Sequence, residues 1–160
     1  AARRTLVQLK ACHRHTRWFS YRSMPMRLST VQDLVGVAKC LSDPNRLRIV
    51  EALRQGELCV CELCDALGLS QSTLSTHLSV IRRAGIVRSR KEGKWSYYAL
   101  TPRAATVFDQ WFQPFRAQIR QDAVLATDRK QLRQRLGLRR SGVCCVGFTC
   151  SKPTGRRRAE

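Results

Sequence analysis

Acidic side chains are scarce in this chain of 160 residues, where 11 Asp and Glu stand against 30 Lys and Arg, for a formal net charge of +19. Long apolar runs are also missing, and a membrane-spanning helix needs about 20 such residues in succession. No secretory leader is visible, because Gln8 and Lys10 interrupt the apolar residues near the start. We therefore expect no membrane partner and a cytoplasmic location.

The basic residues are concentrated at the two ends of the chain. Residues 1–28 hold seven Arg and Lys with no acid, and residues 129–160 hold ten with Glu160 alone against them. These two terminal segments, or arms, carry net charges of +7 and +9, which leaves a net charge of +3 for residues 29–128. A basic arm either adds salt-sensitive, non-specific affinity for DNA or is a solvated, disordered tail.

This distribution suggests three parts. Residues 1–28 are expected to be a basic arm that is disordered, or an over-extended start with translation beginning at Met24 or Met26. Residues 29–120 are long enough for one domain. Residues 121–160 are expected to contain the end of a helix and a basic, cysteine-containing tail.

A helix-turn-helix is predicted in the middle of the chain. Leu63 and Leu67 share one face of a short helix over residues 61–67, and Gly68 ends it. Ser70 is a good N-cap for a second helix over residues 71–84, whose apolar stripe is Leu74, Leu78 and Ile81. The N-terminal part of such a helix reads base edges in the major groove. The candidate DNA contacts on its polar face are Gln71, Ser72, Thr73, Ser75, Thr76 and His77.

A β-hairpin follows the second helix. Residues 86–90 and 95–100 are strand-like, and the turn at residues 91–94 joins them. Arg88, Arg90, Lys91 and Lys94 of this hairpin are candidate contacts to phosphates or a minor groove, and Arg82 of the preceding helix is a further candidate DNA contact. The alternative is a solvated hairpin, but its place after a recognition helix favours contact with DNA.

Helices are predicted on both sides of this unit, over residues 30–41, 44–54 and 101–126, with a kink or break at Pro114. The last of these carries a broad aromatic stripe, and a short helix over residues 130–138 follows it. The pattern predicts a mainly α fold of the α+β class, a winged helix-turn-helix with a two-stranded wing.

Three of the eight cysteines, Cys59, Cys61 and Cys64, lie at the start of the helix-turn-helix. A helix N-terminus lowers the pKa of a thiol, and thiolates select soft metals and metalloids. Clustered cysteines on a DNA-reading unit favour a soft-ion site in a reducing compartment over a disulfide scaffold. Cys144, Cys145 and Cys150 form a possible second site.

The string Glu-Leu-Cys-Val-Cys-Glu-Leu-Cys at residues 57–64, with Leu-Ser-Gln-Ser-Thr-Leu-Ser-Thr-His-Leu at residues 69–78, resembles the ArsR/SmtB family of metal-sensing repressors. The segment at residues 41–53 is similar to the family's pattern too, and the likeness is strongest to arsenical-resistance repressors. The resemblance implies a homodimer formed through the first and last helices that binds double-stranded operator DNA. It also implies no constitutive cofactor, with As(III) or Sb(III) as the inducer.

Two alternatives stay open at this point. A structural zinc site usually needs four ligands, and cadmium or lead would need a fourth sulfur. The resemblance to cadmium and lead repressors, which take that sulfur from the N-terminal arm, implies Cys12 for this role, whereas arsenite and antimonite are three-coordinate with thiolates and fit three cysteines. The Cys61-x-x-Cys64 spacing also occurs in thiol–disulfide oxidoreductases, but these need a strand-to-helix context that the helical flanks do not provide. The sequence therefore predicts a regulator and not an enzyme.

Overall fold

The computed structural model describes residues 29–140 and 142–147. Seven α-helices and three strands lie within these residues, together with one short 3₁₀ helix. In chain order they are α1 (Val31–Leu41), α2 (Pro44–Leu53), β1 (Leu58–Cys59), α3 (Val60–Leu67), α4 (Gln71–Arg83), β2 (Val87–Glu92), β3 (Trp95–Leu100), α5 (Pro102–Phe112), the 3₁₀ helix Gln113–Phe115, α6 (Arg116–Gln121) and α7 (Ala123–Leu136). The predictions for the N-terminal arm, Cys12 and Cys150 fall outside the described residues.

The predicted helix-turn-helix is confirmed as α3 and α4, and local caps set its boundaries. Gly68 ends α3 in the left-handed conformation, with φ 63°, which costs a glycine little. The hydroxyl of Ser70 then accepts a hydrogen bond from the Thr73 backbone N–H and starts α4. A cap of this kind contributes about 1 kcal/mol.

The predicted wing is present as an antiparallel pair, β2 and β3, in which Val87 lies opposite Leu100 and Glu92 opposite Trp95. The sheet has a third strand, because β1 adds to the other edge of β3 and gives the order β1-β3-β2. Cys59 in β1 lies opposite Tyr97 in β3. The start of α3 is therefore fixed to the base of the wing.

One apolar core joins the helices to the sheet. Its fully buried members include Ile49, Leu63, Leu74, Leu78, Ile81, Ile86 and Phe108. Part of the aromatic stripe enters this core, where Phe108 stacks on Phe112 with 5.7 Å between ring centroids. Phe115 stays 58% exposed, so the stripe is only partly covered within one chain.

The prediction of one helix from Thr101 to about Ala126 is wrong, because the chain breaks at Asp122 as well as at Pro114, where a break was expected. The chain passes through the 3₁₀ helix at residues 113–115, because proline cannot donate the backbone hydrogen bond that an α-helix requires. A second break occurs at Asp122, which is extended and whose carboxylate accepts from the Leu125 backbone N–H to cap α7. The last predicted helix, at residues 130–138, is therefore part of the longer α7.

Helix α7 turns back onto the helix-turn-helix and packs against α2 and α3. Leu132 is 1% exposed, and the Arg48 guanidinium binds both oxygens of Asp128 at 2.7 Å while also donating to the Leu67 carbonyl. Residues 142–147, which we call the C-terminal strap, then run beside α3 and the wing. The proposed division of the chain at residue 120 stays a prediction. Within the described residues, no helix is long and apolar enough to cross a membrane.

Candidate soft-ion and DNA-binding sites

Cys59 lies at the junction of β1 and α3 and serves as the N-cap of the helix. Its sulfur accepts from the Glu62 backbone N–H at 3.4 Å, and the Glu62 carboxylate accepts from the Cys59 backbone N–H at 2.8 Å. This reciprocal pair satisfies two backbone donors that a helix N-terminus leaves unpaired. The sequence predicts a helix that begins at residue 61, whereas α3 begins at Val60 and Cys59 is its N-cap.

Three cysteine sulfurs converge at this junction. The Cys59 and Cys61 sulfurs lie 2.7 Å apart, and the Cys144 sulfur, brought by the C-terminal strap, lies 3.4 Å from that of Cys61. All three sulfurs lie within 4.8 Å of one another, and each residue is at least 98% buried. A compact, buried set of sulfurs matches the ligand preference of soft ions.

The remaining candidate ligands lie elsewhere. Cys64 is 3% exposed within the main apolar core and does not join the group of three sulfurs. Cys61 and Cys64 are three residues apart, which offsets them by about 60° around the helix. This offset is enough to turn Cys61 toward the strap and Cys64 toward the main core. Cys145 is exposed, with its thiol near the Leu138 carbonyl at 3.3 Å. Cys144 and Cys145 of the proposed second site therefore lie in different surroundings. Cys150 falls outside the described residues, so this second site stays a prediction.

Two arginines of the C-terminal region bind acidic residues of α3, and one of them, Arg135, also holds the strap. Arg135 is 5% exposed. Its guanidinium binds Asp65 at 2.7 Å and donates to the carbonyls of Val146 and Gly147. It also lies 3.8 Å from the Cys144 sulfur. A positive charge is thus placed beside the thiol group.

The second arginine, Arg139, forms a two-bond pair with the fully buried carboxylate of Glu62, with both distances 2.7 Å. It also donates to the Glu57 carbonyl at 2.8 Å. Burial alone would raise the pKa of Glu62, but Arg139 and the Cys59 backbone N–H together lower it below its usual value. Glu62 is therefore a buried anion whose charge depends on Arg139.

The hydrogen bond between Cys59 and Cys61 separates the acidities of the two thiols. Donation from Cys59 lowers the pKa of Cys61 to about 6, against the opposing effect of burial, with help from Cys144 and the Arg135 charge. The same bond and burial raise the pKa of Cys59, and burial raises that of Cys144. The pair therefore holds one thiolate near neutral pH, which is the form that binds soft ions.

Aromatic side chains enclose the sulfurs on the side of the wing. Tyr97 is 3% exposed and packs with Trp95 against the cysteine group. Burial raises the pKa of Tyr97 to about 12, and its hydroxyl is buried without a hydrogen bond of ordinary geometry. The ring of Tyr97 also supports the Arg90 guanidinium, 4.4 Å from its centroid.

The exposed face of α4 carries most of the predicted base contacts. Gln71, Ser72, Thr73, Ser75 and Thr76 are all exposed. Thr76 donates its hydroxyl to the Ser72 carbonyl, and the Ser70 hydroxyl lies within 3 Å of those of Ser72 and Thr73. The face therefore presents short polar groups at the N-terminal end of the helix.

Two predicted DNA contacts have other partners. His77 is turned toward α2, where its Nδ1 lies 3.7 Å from Asp43. Arg90 makes a two-bond pair with Glu57 at 2.8 and 2.6 Å and binds Glu92 as well. Its side chain is 13% exposed. The sequence pattern missed these roles because Asp43 and Glu57 lie on other elements than the residues they bind. Only Glu92 shares β2 with Arg90.

Two grooves lie between α4 and the wing. One of about 520 Å³ is lined by Arg82, Lys91 and Tyr98, among others. The other, of about 420 Å³, brings Gln71 and Ser75 of α4 close to Lys94 and Trp95 of the wing, with Cys61 and Gly147 also in its lining. The cysteine group thus adjoins the surface predicted to meet DNA.

Comparison with known proteins agrees with this geometry. The family profile described as "Bacterial regulatory protein, arsR family" matches residues 43–89. The chain is 52% identical over 67 residues to the arsenic resistance transcriptional regulator ArsR1 of Pseudomonas putida, covering 41% of this chain and 52% of that protein. It is 47% identical over 77 residues to the arsenical resistance operon repressor of Escherichia coli, covering 45% and 66%.

A cadmium resistance regulatory protein, CadC of Listeria innocua, is also similar, at 47% identity over 64 residues, with 39% of this chain and 54% of that protein covered. The matched segments thus span about half to two thirds of these relatives. Names of both arsenic and cadmium regulators occur among them, so the comparison leaves the ion undecided.

Solved structures show the same fold. HlyU from Vibrio cholerae is 32% identical with a TM-score of 0.51, and the match covers 56% of this chain and 98% of that one. The homodimeric winged helix-turn-helix domain Mb0332 from Mycobacterium bovis is 27% identical with a TM-score of 0.52, with 57% and 86% covered. The winged helix-turn-helix predicted from the sequence is therefore confirmed.

Proposed function

This chain belongs to the ArsR family of bacterial regulatory proteins, and on that premise we propose that it is a cytoplasmic, arsenic(III)- or antimony(III)-responsive repressor. Its relatives are DNA-binding transcriptional regulators and not enzymes, which removes the oxidoreductase alternative. The observation that carries the proposal is the buried Cys59–Cys61 pair at the N-terminus of α3. This pair places a soft-ion ligand set on the first helix of the DNA-reading unit.

DNA recognition is proposed to use the exposed face of α4, with the wing beside it. The bases are read by Gln71, Ser72, Thr73, Ser75 and Thr76, and the phosphates are met by Arg82, Lys91 and Lys94. Two copies of α4 are needed to read an operator with two half-sites. His77 and Arg90 are left out of this set because their side chains are engaged within the protein.

A homodimer supplies the second copy. On α1, Val31 is 72% exposed, Leu34 46% and Val35 43%, and Phe115 after α5 is 58% exposed. Contiguous exposed apolar residues mark association surfaces, and Val31, Leu34 and Val35 lie at helical spacing on one face of α1. We propose that α1 and the α5–α6 region form the dimer interface, while α7 packs within its own chain.

Ion binding acts on DNA binding through the cap of α3. Cys59 caps α3 through its contact with the Glu62 backbone N–H, and the same sulfur would become a ligand of the ion beside Cys61. Because α3 packs on α4, a change at this cap reaches the reading helix. The ion then releases DNA because it binds the DNA-free form more tightly, and DNA weakens ion binding by the same factor.

The test uses the full chain and a duplex selected from a random pool by the protein itself. Fluorescence anisotropy follows release of the duplex during titration with arsenite. We expect Cys59→Ser and Cys61→Ser to bind the duplex as the wild type does but to resist arsenite, while Cys40→Ser, also buried but on α1, responds normally. Normal release from the Cys59→Ser, Cys61→Ser double variant would reject the proposal.

A cadmium, lead or zinc response is the second candidate, supported by the similarity to CadC. Cadmium and zinc favour four ligands, whereas the group found in the described residues has three sulfurs. Parallel titrations with antimonite, cadmium, lead and zinc decide between the two. Release at the lowest concentration by arsenite or antimonite supports the first proposal, and release by cadmium or lead supports the second.

A further inference from the structure

We propose that Cys144 of the C-terminal strap, and not Cys64 of α3, is the third sulfur ligand of the inducer. The inference rests on the proposed ion-responsive function and assigns its ligand set. An ion bound in this way joins the helix-turn-helix directly to the strap, across 83 residues of sequence.

Distances support this ligand set. At a metal–thiolate bond length of about 2.3 Å, two sulfurs on one ion can be no more than roughly 4.6 Å apart, and the narrower angles of three-coordinate arsenic(III) bring them closer together than a tetrahedral ion does. The Cys61 and Cys144 sulfurs, 3.4 Å apart, lie within this limit without any movement. The third separation, between Cys59 and Cys144, is under 4.8 Å, so only small movements gather all three.

Cys64 is held in a different environment. It is 3% exposed among the apolar residues of the main core, which packs α3 against its neighbouring helices. Both ends of α3 are capped, by Cys59 at the start and by Gly68 at the end. To bind an ion beside Cys61, the Cys64 sulfur would therefore have to leave its packing in the main core.

The strap is built to present Cys144. Arg135 donates to the carbonyls of Val146 and Gly147, and Arg140 forms an isolated β-bridge with Val143. These bonds fix the backbone on both sides of Cys144. Its neighbour Cys145 points outward and is exposed, which explains why only one of two adjacent cysteines joins the site.

The experiment compares Cys144→Ser with Cys64→Ser in the full chain, with Cys145→Ser as the matched strap control. X-ray absorption of the arsenite-loaded proteins counts the sulfurs around arsenic, and a titration gives the arsenite affinity. We expect three sulfurs in the wild type and in the Cys64→Ser and Cys145→Ser variants. We expect two in Cys144→Ser, with a loss of affinity of at least about tenfold.

Three sulfurs in Cys144→Ser and two in Cys64→Ser would overturn the inference while leaving the ion-responsive function intact. If Cys59→Ser and Cys61→Ser also keep three sulfurs and full affinity, the proposed function itself fails. Should Cys144→Ser fold poorly, protease digestion of the wild type provides the second measurement. Arsenite is expected to slow cleavage between Arg140 and Gly147, and an unchanged cleavage rate there counts against the strap as a ligand-bearing element.

Discussion

The ion pair between Arg139 and Glu62 gives the sharpest prediction about stability. Replacing Arg139 with Gln leaves the Glu62 carboxylate, which is fully buried, without its charged partner. Breaking a buried pair costs about 3–5 kcal/mol. We expect a loss near 3 kcal/mol, at the lower end of that range, because the Arg139 side chain is 22% exposed and water reaches it.

Urea unfolding at pH 7 measures this change. For a small domain the free energy of unfolding falls by about 1–3 kcal/mol per molar urea, so Arg139→Gln should unfold about 1–3 M earlier than the wild type. Arg140→Gln is the matched control, since it removes the same charge from an exposed neighbour and should change stability by less than about 0.5 kcal/mol. The double variant Glu62→Gln, Arg139→Gln should recover part of the loss, because it leaves no buried charge.

The pH dependence follows from the lowered pKa of Glu62. A carboxyl group whose pKa is lower in the folded state stabilises the protein above its unfolded pKa, and this contribution is lost as the pH falls through the folded value. In Arg139→Gln, burial is no longer opposed by the Arg139 charge, so the pKa of Glu62 rises above its ordinary value. The difference between the variant and the wild type should therefore be largest at high pH, and should shrink as the pH falls through that raised pKa toward the lowered pKa of the wild type. A difference under about 0.5 kcal/mol at pH 7, or one that grows in acid, would refute this reasoning.

Three further predictions concern the DNA-binding surface. Ser72→Ala should weaken binding to the selected duplex by about 1–3 kcal/mol and leave random DNA unaffected, as measured by anisotropy; equal losses on both would exclude base reading there. Lys91→Gln should weaken binding to the selected duplex and to random DNA equally, and should reduce the slope of log affinity against log salt by about 0.9. Arg90→Gln, in contrast, should lower the urea midpoint and leave that slope unchanged, because Arg90 is paired with Glu57. Ser70→Ala should destabilise the fold by about 1 kcal/mol in urea unfolding, since it removes the cap of α4; an unchanged midpoint would mean that Ser72 or Thr73 replaces it.

The helix-turn-helix and wing could be predicted because their signals are local. The stripe of Leu74, Leu78 and Ile81, the cap at Ser70 and the left-handed Gly68 all lie within a few residues of the structure they determine. The break at Pro114 was predictable for the same reason. The second break at Asp122 was missed because a capping Asp within a helix-like pattern looks like any other polar residue.

The composition of the cysteine group could not be predicted from spacing. Cys61 and Cys64 are neighbours in sequence, yet Cys144 is the sulfur that the fold brings to Cys61. The same holds for Arg135 and Arg139, which bind Asp65 and Glu62 across 70 and 77 residues. The i, i+4 spacing of the two arginines and the i, i+3 spacing of the two acids were the available signal, and only a structure could pair them.

The position of Cys144 beyond the DNA-reading unit has a genetic consequence. A chain cut or terminated between Arg140 and Cys144 would keep α1 to α7, with every proposed contact to bases and phosphates, but would lose one sulfur of the ion site. We expect such a product to occupy the operator and to need a higher concentration of inducer for release, because Cys59 and Cys61 remain. Alleles with a weakened response should therefore include late nonsense and frameshift mutations that leave repression intact.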